Sequence, residues 1–181
     1  MDIIVKYIDE LLEKSTPDAP MWNIEKIRDG GVKSNWNYID GVMIKAVLQM
    51  YDVTKDEKYL KFADDFIDYR VHEDGTIEGY SVGEKNIDNV NAGKTLFELY
   101  DLTGKEKYRK AIDLVYSQIE IMPRCNNEAR SFWHKDIYPN QVWLDGLYMG
   151  QPFYLEYETK FNNRKNYPDI FAQFKYVIEN M

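Results

Sequence analysis

Apolar and polar positions along this chain fall into two kinds of stretch that alternate. Tyr108, Ala111, Ile112, Val115, Tyr116 and Ile119 recur at helical spacing with Lys and Asp between them, giving one apolar stripe on an amphipathic helix. Tyr59, Ala63, Phe66 and Ile67 make the same stripe, with Arg70 expected to snorkel at its end. Gly41–Tyr51 and Gly146–Tyr157 are instead apolar nearly all round, a pattern that predicts burial on both sides.

The alternation is an internal repeat. Aligned on Asp40, Asp88 and Asp145, which lie 48 and 57 residues apart, the three segments fall into step. An apolar helix follows each Asp and ends near Tyr51, Tyr100 and Tyr157. A polar turn comes next, and a second helix opens at Lys58-Tyr59, Lys107-Tyr108 and Asn166-Tyr167. No segment has strand periodicity apart from the turn-rich stretch 73–80, so the expected fold is all-α. An inner layer of apolar helices wrapped by striped ones fits α/α hairpins in a toroid or curved solenoid.

Composition narrows the function. With 181 residues, 44% hydrophobic and 15% aromatic, the chain can bury one sizeable core. Fifteen Tyr and four Trp hint at a cleft for sugars or aromatic ligands. The net charge of −8 argues against a nucleic-acid or anionic-membrane partner. Cys125 is the only cysteine, so no intramolecular disulfide forms; with no signal-like N-terminus and no long apolar run, a cytoplasmic setting is expected. The first residues, Met1 to Lys14, read as an amphipathic helix.

In such an array the loops entering the apolar helices open at one end, which gathers Asp40, Asp88 and Asp145 there with Trp36, Tyr38, Trp143, His134 and Lys135. An Asp before a helix is a preferred N-cap, worth ~1 kcal/mol, and three caps in register follow from repeat geometry alone. Their neighbours separate them. Asp145 has Trp133, His134, Lys135, Tyr138, Asn140, Gln141 and Trp143 within a dozen residues: an acid, donors, cations and stacking faces suited to a sugar ring. Asp88 sits among Asn86, Asn89 and Asn91. Two carboxylates in unlike surroundings take different protonation roles, with Asp145 the expected donor. Asp40 is left as a cap. His72 is expected in an exposed turn bent at Gly75, and Cys125 reads as a bystander.

The strings VWLDGLYMGQPF and FWHKD, with NIDNVNAGKTLFELYDLTG and NWNYIDGVMIKAV, resemble glycoside hydrolase family 105, the unsaturated rhamnogalacturonyl hydrolases. The unsaturated glucuronyl hydrolases of family 88 are similar more loosely. The resemblance runs from about Trp22 to the C-terminus. It implies an (α/α)6 barrel that acts on a terminal Δ4,5-unsaturated galacturonic acid of pectin-derived oligosaccharides. By this resemblance Asp145 is the general acid/base and Asp88 the carboxylate that helps bind the sugar. His134 and Lys135 are its pocket pair, and Tyr38 and Trp143 its stacking aromatics, with Trp36 beside them. It implies no cofactor, and two distant His with one Cys suggest no metal site.

Family members run to roughly twice this length, so the expectation is a single α/α-toroid domain over 1–181, shortened to about half a barrel. The Arg that the resemblance would place on the sugar carboxylate is absent. Two apolar edges are then uncovered, and association as a homodimer or with a complementary half-barrel is expected. Two other readings compete. A helical-repeat module could bind oligosaccharide or protein without turnover, needing the aromatic cleft but no Asp145 acid. A related (α/α)6 sugar epimerase would lean on several His, where this chain has two.

Overall fold

Each predicted hairpin forms, and its turn is built the same way in the first two repeats. The computed structural model describes residues 2–24 and 33–180. It contains α1 (Asp2–Glu13), α2 (Tyr38–Thr54), α3 (Glu57–Asp68), α4 (Lys94–Thr103), α5 (Glu106–Ile121), α6 (Leu144–Phe161) and α7 (Tyr167–Asn180). Among the described residues there are isolated bridges but no strands, so the fold is all-α, with α2/α3, α4/α5 and α6/α7 as its α/α hairpins. α1 is the expected N-terminal helix; Met1 lies outside the described residues. No described helix is long and apolar enough to cross a membrane.

Lys55 and Gly104 end α2 and α4 in the left-handed region, at φ 57° and 68°, and their N–H groups bond the carbonyls of Tyr51 and Tyr100 at 2.7 and 2.8 Å. Thr54 and Thr103 donate to the carbonyls of Met50 and Leu99, each at 2.6 Å. The third turn is closed differently. Fully buried Glu158 accepts from the Tyr116 hydroxyl, the Asn162 amide and the Asn166 backbone N–H, each at 2.8 Å.

The striped helices bury the stripes read from sequence: Tyr108, Ala111, Ile112, Val115, Tyr116 and Ile119 on α5, and Tyr59, Ala63, Phe66 and Ile67 on α3. Arg70 does not snorkel. It is buried, and its Nη2 donates to the carbonyls of Pro17 and Ser34 at 2.7 Å each, while its Nε is buried without a partner.

The apolar helices bury one side rather than two. Ile44, Val47, Leu96, Phe97, Leu99, Phe153 and Tyr154 enter the core, whereas Val42, Tyr148 and Leu155 are exposed. The open sides of α2, α4 and α6 adjoin, as the ion pairs Lys45–Glu98 and Lys160–Asp101 bridge them. They form one surface, and its residues look apolar in sequence because they interleave with core positions.

The second repeat inserts a 3-10 helix, Ile87–Gly93, ahead of α4. It packs between α2 and α6, closely enough that a Cβ on Gly41 would stand 2.5 Å from the Ala92 Cα. A Cβ on Gly150 would stand 2.6 Å from Ile87 Cδ1. Two glycines thus admit the segment that carries Asp88.

Candidate active site

The three repeat aspartates are not helix caps. Asn37 caps α2, accepting from the Asp40 N–H at 3.0 Å, and Asn86 caps the 3-10 helix, accepting from the Asp88 N–H at 3.1 Å. Trp143 precedes α6 and gives no side-chain cap. Each Asp therefore falls within the first turn, where the helix dipole favours a negative charge while its carboxylate is free for other partners.

Those partners divide the three. The Asp40 carboxylate is buried and accepts from Trp22 Nε1 at 2.7 Å, Asn37 Nδ2 at 2.9 Å and Ser34 Oγ at 3.2 Å. Burial pushes its carboxyl above the usual range against the pull of those bonds. It ties the loop before α2 to the core and is structural.

Asp88 and Asp145 converge on His134. Their carboxylates and a ring nitrogen of His134 all lie within 4.8 Å of one another; Asp88 and His134 are buried and Asp145 is exposed. Lys135 Nζ lies 2.7 Å from Asp88 Oδ2. His134 Nε2 stands 3.3 Å from Asp88 Oδ1 without hydrogen-bond geometry. Burial lowers the His134 pKa, and the nearby Asp88 and Asp145 charges oppose that only in part, so the ring is neutral near pH 7.

Backbone bonds deliver this group. Lys135 bridges to Asn86, the Ile87 N–H donates to the His134 carbonyl at 3.1 Å, and the His134 N–H donates to the Gln141 carbonyl at 2.8 Å. From α5, Gln118 Nε2 holds the Asn86 carbonyl at 2.8 Å. The loop before α6 is thereby stitched to the segment before α4, joining residues about 50 positions apart.

The aromatics take unequal places. Trp143 stacks on His134 at 4.2 Å between centroids and 10° between planes, and on Tyr138 at 5.3 Å and 16°. Much of its ring surface is thus taken by the protein, and 39% of the residue remains exposed. Tyr38, at the start of α2, is 41% exposed and is tied to the Asp88 segment through its carbonyl, which accepts from Asn91 Nδ2 at 3.0 Å. Trp36 offers no free face: it is buried, its Nε1 donates to the Asn89 carbonyl at 2.9 Å, and its edge meets Tyr80. It positions the Asp88 segment from behind.

Sequence reasoning passed over Tyr148, one turn along α6 from Asp145, and Lys94, at the start of α4. Lys94 Nζ lies 3.8 Å from the centre of the Tyr148 ring and donates to its carbonyl at 3.1 Å. Burial, with Lys45 nearby, pulls the ammonium pKa down to about 8. The sequence signal was Pro152, which has no N–H for the carbonyl four residues earlier. Elsewhere, His72 is in the exposed turn bent at Gly75 (φ 88°), and buried Cys125 has its thiol pKa raised by burial.

The arrangement offers an exposed carboxyl at a helix start beside a carboxylate that a lysine holds and a neutral imidazole. The oxygens of the two aspartates lie closer than the ~6.5–9.5 Å that separates the pair in an inverting glycosidase.

Comparison with known proteins bears on the family and the fold. The family model described as Glycosyl Hydrolase Family 88 matches residues 14–181. A solved structure of a family 105 glycoside hydrolase from C. acetobutylicum ATCC 824 is 43% identical, with a TM-score of 0.78. The match covers 87% of this chain and 44% of that one, so this chain spans less than half of that protein's length. On the extent of the family match and the shared α/α geometry, the chain belongs to glycosyl hydrolase family 88.

Proposed function

We propose that this surface hydrolyses a terminal Δ4,5-unsaturated galacturonic acid from pectin-derived oligosaccharides, with Asp145 as general acid and then general base. The observation that carries the reading is the convergence of exposed Asp145 with buried Asp88 and His134 within 4.8 Å. Protonated Asp145 gives its proton to C4 of the enol ether, and the positive charge that develops at C5 is shared with the ring oxygen. The Asp145 carboxylate then takes a proton from water as the water oxygen bonds to C5, which restores the acid. The C5 hemiketal opens by breaking its bond to the ring oxygen, leaving a ketone at C5 and a hemiacetal at C1. The hemiacetal then collapses to an aldehyde as its C1–O bond to the neighbouring sugar breaks, and that sugar leaves with a hydroxyl.

Asp88, held by Lys135 at 2.7 Å, accepts from sugar hydroxyls, and Lys135 and His134 face the uronate side. Tyr38 and the exposed part of Trp143 flank the ring. Self-association through the exposed apolar residues of α1 (Ile3, Ile4, Tyr7) and α7 (Phe171, Phe174, Ile178) belongs to the same proposal, and a strict monomer in solution removes it.

The test is loss of the ultraviolet absorbance of the conjugated enol ether when the chain meets an unsaturated rhamnogalacturonan oligosaccharide. Asp145→Asn is expected to abolish turnover with the helical circular dichroism unchanged. Turnover that survives this substitution sinks the assignment. Sugar binding by the wild-type chain with no turnover would instead identify a non-catalytic binding module.

A further inference from the structure

The expectation that this chain has no metal site weighed His and Cys alone. Folding assembles a different donor set, one imidazole and two carboxylates, from segments far apart in sequence. We propose that Asp88 Oδ1, His134 Nε2 and the Asp145 carboxylate form a site for a borderline divalent cation of the zinc class, with its remaining position open to solvent.

Distances favour that class. Zinc–nitrogen and zinc–oxygen bonds of ~2.0–2.2 Å at a tetrahedral centre place neighbouring ligand atoms about 3.3–3.6 Å apart. His134 Nε2 and Asp88 Oδ1 already stand 3.3 Å apart. Asp145 is exposed at the start of α6, and a side-chain rotation closes the rest of the 4.8 Å span. Three protein ligands and one open position is the pattern of a reactive zinc centre, while hard cations such as Mg²⁺ ask for more oxygen ligands.

A second observation points to a ligand rather than an acidic cluster. Asp88 Oδ1 and both ring nitrogens of His134 are buried without hydrogen-bond partners. Lys135 occupies Asp88 Oδ2 and leaves Oδ1 for the cation. Behind the ring, His134 borders a cavity of ≈ 10 Å³, room for about one water, that Gln151 also lines. Gln151 Oε1 is buried and unpaired as well. An Nδ1–H directed there, through water to Gln151, leaves Nε2 with its lone pair toward the aspartates, the outer-shell arrangement metal-binding histidines use.

Bound there, the cation takes the lone pair that Asp145 needs, so zinc competes with substrate. That consequence rests on the proposed function, whereas the site itself does not. The test is therefore binding, with the tag-free full chain titrated with Zn²⁺ by calorimetry and with Co²⁺ by visible absorption. One saturable Zn²⁺ per chain is expected, with a tetrahedral Co²⁺ spectrum and no comparable uptake of Mg²⁺. Asp145→Asn, at an exposed position, is expected to weaken binding by at least about tenfold, and His72→Ala to leave it unchanged. No saturable Zn²⁺ binding by the wild-type chain, or equal binding by Asp145→Asn, overturns the site. A chain that binds zinc yet turns over no sugar keeps this inference and loses the catalytic one.

Discussion

Lys94 supplies to α6 the hydrogen bond that Pro152 removes. Pro152 lies inside α6 and has no N–H for the carbonyl of Tyr148, and the Lys94 ammonium, reaching across from α4, fills that acceptor at 3.1 Å. The clamp sits one helical turn from Asp145. A break in one helix is thus mended by its neighbour, and the two helices that frame the site are joined where one of them is weakest.

The pair is expected to be coupled. Pro152 is exposed, so Pro152→Ala restores the helical bond without a packing loss and stabilises the fold by about 1–3 kcal/mol. Lys94→Met leaves the Tyr148 carbonyl without its donor in the wild type but not in the Pro152→Ala background. A double-mutant cycle from chemical denaturation should give a coupling of at least about 0.5 kcal/mol; additive effects contradict the clamp.

Asp40 and Asp145 share a repeat position and should differ in what their loss does. Asp40→Ala removes a buried carboxylate that accepts from Trp22, Ser34 and Asn37, at an expected cost of about 2–4 kcal/mol. Asp145→Ala removes an exposed carboxylate and should change stability by no more than about 0.5 kcal/mol. Thermal melts followed by tryptophan fluorescence compare them directly, and equal losses refute the division of roles.

Glu158 gives acid sensitivity a specific origin. Burial pushes its carboxyl up, but the bonds from Asn162, Asn166 and Tyr116 outweigh that and hold it below the ordinary 4.5. The folded state therefore binds this proton more weakly than the unfolded chain does. The resulting stability is fully present above pH 4.5 and is lost as pH falls through the lower folded value. Glu158→Gln should cost about 1–3 kcal/mol at pH 7, a deficit that narrows in acid. A deficit constant between pH 7 and pH 3 in urea titrations would rule this out.

The two matching turns give a stabilising change. Lys55 holds the left-handed conformation (φ 57°) that Gly104 holds at the same place in the next repeat. Lys55 is exposed, so Lys55→Gly should relieve backbone strain and raise stability by about 0.5–1 kcal/mol. A lowered denaturation midpoint would show that the Lys side chain contributes more than its backbone costs.

How much was legible follows from the range of each interaction. The stripes of α3 and α5, the hairpin turns and the repeat register are set by neighbours three or four residues apart, and the sequence displays them directly. The direction in which an apolar helix turns its second side depends on what lies across from it. Tyr148 and Leu155 therefore look like core residues and are exposed. From sequence Trp36 is expected among the substrate-binding residues beside Tyr38 and Trp143, but it is buried and spends its indole N–H on the Asn89 carbonyl.

The sequence by itself determined that these residues build α/α hairpins, that an aspartate stands near the start of each first helix, and that the strings around Asp145 resemble a hydrolase family. Periodicity and local composition suffice for that. Only the tertiary structure decided which aspartate is structural and which is available. The bonds that bury Asp40, and the bridge between Asn86 and Lys135 that brings His134 to Asp88, join residues separated by up to about 50 positions in the chain. Burial and long-range hydrogen bonding, unlike helical periodicity, are written in no single stretch of the sequence.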